Sequence, residues 1–208
     1  MCINFALSFS QETKKIRVTA PYYDINELEF PGATILTRNS KKQIYIEHDG
    51  IKMWCDKAYH YKKEDSISAF GKVIIKQGDS IELTSKTANY SGKTQLAFTA
   101  GDVVLTEPKS TLKTDTLYFD RIKQRAYYKT GGVVNHEKSI INSAIGKYFI
   151  ETKKYQFIGD VDIENPEYTL NSNQLDFYSD TGIAYMYGKS IIKHKETTIY
   201  CERGYYDT

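Results

Sequence analysis

Cysteine, proline and tryptophan are nearly missing from this 208-residue chain, which has three, four and one of them. Cys2, Cys55 and Cys201 form no CxxC pair, so neither a disulfide framework nor a thiolate metal site is indicated. Cys55 and Cys201 stand in distant segments and are expected to stay unbonded. No stretch approaches the ~18 apolar residues of a membrane-crossing helix. An excess of one charge is also lacking: 28 Lys and Arg face 26 Asp and Glu. The densest basic clusters are Lys41-Lys42, Lys62-Lys63 and Lys153-Lys154, which excludes a nucleic-acid footprint. Catalytic motifs are missing too. Ser91-Gly92-Lys93-Thr94 contains GKT, but Thr87 stands where a phosphate loop needs its first glycine. His48, His60, His136 and His194 have no ligand spacing and read as surface residues. Asp102, Asp115, Asp160, Asp162 and Asp176 form no calcium signature and read as solvated. With no nucleophile elbow either, the expectation is a protein that is not an enzyme and takes no metal or cofactor.

What the chain does have is tyrosine, 18 residues of it, among many Ile, Thr and Val. Such side chains suit half-buried pleated surfaces. A period then emerges. Tyr61, Tyr90, Phe119, Tyr148, Phe177 and Tyr206 recur every 29 residues. Seven residues earlier stand Trp54, Leu83, Leu112, Ile141, Leu170 and Ile199. Five earlier stand the short residues Asp56, Ser85, Thr114, Ser143, Ser172 and Cys201. A polar turn follows each aromatic, then pairs such as Ala69-Phe70, Ala97-Phe98, Ala126-Tyr127 and Ala184-Tyr185, then a glycine and usually a valine. A second turn closes the unit at Asp79, Pro108, Glu137, Pro166 and Lys195, a place where proline is tolerable because no ladder N–H is needed.

Two strands and two turns per unit bury little alone, whereas stacked copies bury a continuous seam. The fold class is therefore all-β: an elongated antiparallel β-jellyroll or solenoid of about six 29-residue two-strand repeats. Residues 1–11 resemble the end of a secretory signal, or else an unstructured tail. Residues 12–208 are expected to be a single repeat domain, truncated at its C-terminal end because the chain stops in mid-unit.

The segment His48-Asp49-Gly50-Ile51-Lys52-Met53-Trp54-Cys55-Asp56-Lys57-Ala58-Tyr59, with the recurring Ala-Phe-x-x-Gly-x-Val pattern, resembles the OstA-like family over roughly residues 30–208. This family comprises LptA-type and LptD N-terminal-type jellyrolls of lipopolysaccharide transport. Lys57 and Ser190 depart from its usual pattern. The resemblance implies a periplasmic carrier or bridge that holds the acyl chains of lipopolysaccharide, or a related lipid, in an apolar groove. The implied lining is Val73, Leu83, Val103, Leu105, Leu112, Leu117, Val133, Ile141, Val161, Ile163, Leu170 and Leu175, with Lys72, Lys86 and Lys113 at the rim. It further implies partners among other jellyroll transport components, or a second copy, joined by end-to-end strand pairing. The alternative is a structural or adhesive envelope β-solenoid with a filled interior; an enzyme acting on envelope glycans would need a convergent carboxylate pair.

Overall fold

A computed structural model describes residues 15–207, and within them every regular element is a strand. The expected signal remnant falls outside the described residues. The first strands are short: β1 (Arg17–Thr19), β2 (Tyr22–Asp24), β3 (Thr34–Thr37), β4 (Ile44–His48), β5 (Ile51–Cys55) and β6 (Lys57–Tyr61). Long strands follow as β7 (Ser66–Gln77), β8 (Ile81–Ser91), β9 (Leu96–Thr106) and β10 (Ser110–Asp120). The third unit is broken into β11 (Arg125–Tyr128), β12 (Gly132–His136), β13 (Ser139–Ser143) and β14 (Ile145–Phe149). The last strands are long again: β15 (Lys154–Glu164), β16 (Tyr168–Tyr178), β17 (Ile183–His194) and β18 (Thr197–Asp207). All 18 belong to one sheet. It is folded lengthwise into two arms that face each other, which is the expected roll.

The crease explains the short-residue column. On three returning strands, two residues take left-handed backbone at the corner, Gly71 and Lys72, Gly101 and Asp102, Gly159 and Asp160, and on the other two a single glycine does, Gly131 and Gly188. The pairing skips there, as between Phe70 and Val73. Glycine supplies this bulge without a Cβ penalty. The opposing strand turns the corner on a hydroxyl that caps a carbonyl two residues on. Ser85 Oγ donates to the Thr87 carbonyl at 3.0 Å, Ser143 to Ile145 at 3.1 Å and Ser172 to Gln174 at 2.9 Å.

The register corrects the first unit. Tyr90 faces inward opposite Ile67, whose other partner is His60 rather than Tyr61. Likewise Met53 and Cys55 are buried where the 29-residue spacing puts Trp54 and Asp56. One extra residue separates the first two units, and a one-residue slip moves every side chain to the other face. Two further expectations change. His60 is buried instead of lying on the surface, and Asp176, expected in water, is buried against Lys154 Nζ at 3.2 Å. Cys55 and Cys201 are unbonded, as anticipated.

Candidate functional site

Two ladders line the inside of the roll. On one arm, cross-strand partners run without a break from Val18 through Ile46, Met53, Ile75, Leu83, Leu105 and Leu112. The same line continues through Val134, Ile141, Ile163, Leu170, Ile192 and Ile199. The alternation of one wet and one dry face produces this line. The other arm is uneven. Next to the crease it carries Leu36, Ala58, Ala69, Ala88, Thr99 and Leu117 in its first half. Its second half carries Gly146, Phe157, Leu175 and Met186.

That difference in bulk decides where the interior is empty. Opposite the small residues lies an apolar cavity of about 140 Å³, walled by Met53, Ile67, Ile75, Leu83, Ala88 and Leu105 among others. Past the third unit the space next to the crease is filled. Phe157, Leu170 and Leu175 are fully buried in a cluster with Tyr155, Phe177 and Met186. Tyr148 and Tyr155 stack there with ring centroids 4.3 Å apart.

The mouth of the roll, opposite the crease, is closed by polar groups from the turns of both arms. Arg121 Nη2 donates to Asp49 Oδ2 at 2.6 Å, and Arg121 Nη1 donates to the Tyr90 hydroxyl at 3.1 Å. That hydroxyl is 2.9 Å from His48 Nδ1. His48, Tyr90 and Arg121 also line the 140 Å³ cavity, so this latch is its outer wall. Burial opposes the Arg121 charge, yet the bonds to Tyr90 and Asp49 outweigh it and hold its pKa above the ordinary value. Farther along, the Tyr155 hydroxyl donates to Glu107 Oε2 at 3.0 Å across the mouth. Burial above all, with the Glu107 charge, pushes the Tyr155 pKa up. Beyond it an open, largely polar groove of about 600 Å³ runs between the arm tips, over Ile141, Ile163, His136 and Phe177.

The residues singled out from the sequence separate into groups. Leu83, Leu105 and Leu117 wall the apolar cavity. Leu112 borders a neighbouring void of about 20 Å³. Ile141 and Ile163 lie under the polar groove. Val73, Val103, Val161, Leu170 and Leu175 are buried in packed core. On β12 it is Val134 that pairs with Leu112 and points inward, while Val133 pairs with Lys113 and Asn142 on the outer face. Lys72 and Lys86 sit at the crease, away from the mouth, and Lys86 is paired with Asp102 at 2.7 Å. The latch was missed. Its members come from turns 72 residues apart, and no spacing in the sequence joins them.

Strands creased into two arms around a partly hollow apolar interior define an antiparallel β-jellyroll. The OstA-like protein family matches residues 24–173, and the chain belongs to it. Among solved structures it is similar to LptH, described as the LptA homologous periplasmic component of the lipopolysaccharide transport device of Pseudomonas aeruginosa. Identity there is 15%, covering 48% of this chain and 76% of that one, with a TM-score of 0.44. No curated protein matches. Among the described residues no helix is long and apolar enough to cross a membrane, and no cluster of three metal-ligating side chains occurs.

Proposed function

We propose that the chain is a periplasmic carrier or bridge module of lipopolysaccharide transport that holds part of an acyl chain between its arms and performs no chemistry on it. The observation that carries this reading is the apolar cavity of about 140 Å³ behind the polar latch; membership of the OstA-like family supports it. Each methylene moved there from water contributes about 0.8 kcal/mol, enough to hold a lipid without a catalytic group. Charged parts of the lipid remain in water at the mouth, where His48, Asp49 and Arg121 already make the rim polar.

Strand β18 supports the bridging half of the proposal. It is 11 residues long, and among the described strands it pairs only with β17. Its Ile199, Tyr200 and Tyr205 are exposed. A strand of this length can be continued by a further unit of the same chain, by another jellyroll or by a second copy.

Photo-crosslinking tests the lipid reading. A photoreactive residue at Leu83 captures lipopolysaccharide, while one at Leu170, inside packed core, does not. Equal labelling at both positions, or none at Leu83 in a folded protein, rejects the assignment.

A further inference from the structure

The interior changes from hollow to packed within the third unit, and one ring stands at the change. From β7 onward, equivalent positions on successive returning strands hold Ala69, Thr99, Tyr128, Phe157 and Met186, so after Leu36 of β3 the next large side chain of the series is Tyr128. Its surroundings are altered to seat it. At the corner position, where other units hold Val73, Val103 and Val161, this unit holds Gly132. Between Ala88 and Leu117 on one side and Leu175 on the other, the same ladder holds Gly146.

Neither glycine has a positive φ, so backbone strain does not call for either. Space does. A Cβ on Gly132 would come within 2.6 Å of the Tyr128 ring, and one on Gly146 would collide with both ring and hydroxyl. The ring is buried and its hydroxyl lies 2.7 Å from Ser143 Oγ. Only the void of about 20 Å³ separates it from the apolar cavity, and the two spaces share Leu105, Leu117, Ala126 and Tyr148 as walls.

We infer that Tyr128, seated in the notch of Gly132 and Gly146, is the stop that ends the lipid cavity and sets how much of an acyl chain the protein takes. This rests on the lipid-carrying reading above. A dry apolar cavity of about 150 Å³ accepts a benzene-sized guest, so the present one takes roughly six carbons. Emptying the notch adds a second benzene-sized space, roughly doubling that capacity. The ring, filling the space over Gly132 and Gly146, stands between the hollow units and the packed ones.

Binding of saturated fatty acids of graded length, measured on the full chain by displacement of a fluorescent fatty acid, tests the inference. In the parent protein affinity rises about fourfold per methylene until the cavity is full, then levels off. Tyr128→Ala moves that plateau several methylenes longer, and Tyr128→Phe, which keeps the ring, leaves it in place. If Tyr128→Ala does not melt cooperatively, Tyr128→Leu takes its place, with a smaller extension expected. An unmoved plateau in a folded variant overturns the stop and leaves the lipid reading standing. Failure of the parent protein to bind any chain overturns both.

Discussion

Truncating one leucine in each half of the roll distinguishes a hollow unit from a packed one. Leu170 and Leu83 occupy the same inner ladder, and each loses three carbons on replacement by alanine. Leu170 is 1% exposed, within the aromatic cluster of the second half. Its loss removes about 2.4 kcal/mol of transfer free energy at 0.8 kcal/mol per methylene. The new void, which Phe157 and Leu175 cannot close, raises the cost to about 3–4 kcal/mol. Leu83 is only partly buried and already faces empty space, so it has fewer contacts to lose and opens no new cavity; about 1–1.5 kcal/mol is expected. At about 2–4 °C per kcal/mol for a chain of this size, Leu170→Ala lowers Tm by about 10 °C and Leu83→Ala by about 3–4 °C. Far-UV circular dichroism is the appropriate probe. Trp54, the only tryptophan, lies in the first units, and in a repeat array its fluorescence would miss unfolding that starts at the other end. Equal losses for the two variants would refute the division into hollow and packed halves.

Three more outcomes follow from the same geometry. Arg121→Ala removes the bond to Tyr90 and a partly exposed ion pair with Asp49, which is discounted for solvent screening. A loss of about 2 kcal/mol is expected in thermal melts, with faster uptake of an apolar dye as the mouth loosens; a melt unchanged from the parent argues against a latch. Gly146→Ala drives a methyl into the Tyr128 ring and costs about 1–3 kcal/mol, a loss that largely disappears when combined with Tyr128→Ala in a double-mutant cycle. Burial pushes the Cys55 thiol up to about 12 from its ordinary 9. Folding therefore favours the protonated thiol: this contribution is whole below pH 9 and falls as pH rises from there toward 12, by about 1.4 kcal/mol per unit. Denaturant titrations above pH 9 should show that decline and Cys55→Ala should blunt it, and with Cys2 replaced the half-buried Cys201 alkylates well before Cys55.

The sequence by itself determined the architecture, because a period near 29 residues and strand alternation are local and additive. Each unit repeats the same instruction: apolar residues inward, glycine at the crease, a short side chain opposite it, a polar turn at each tip. From this the single sheet, the inner ladder of Leu83, Leu105, Leu112, Ile141, Ile163 and Leu170, and the free cysteines were all legible. The tertiary structure alone decided three things. It revealed the extra residue between the first two units, since spacing cannot tell an inserted turn residue from a retained phase until the hydrogen bonds are known; that residue turns Met53 inward and Trp54 outward. It brought Asp49 to Arg121 and Glu107 to Tyr155, because contacts across the mouth depend on how the arms twist toward each other, and twist leaves no mark in a one-dimensional pattern. It also separated groove from core. A column of apolar letters reads the same whether the opposite arm offers Ala69 and Thr99 or Tyr128 and Phe157, and only the sum of volumes across the gap leaves an apolar cavity at one end and packed core beside the crease at the other.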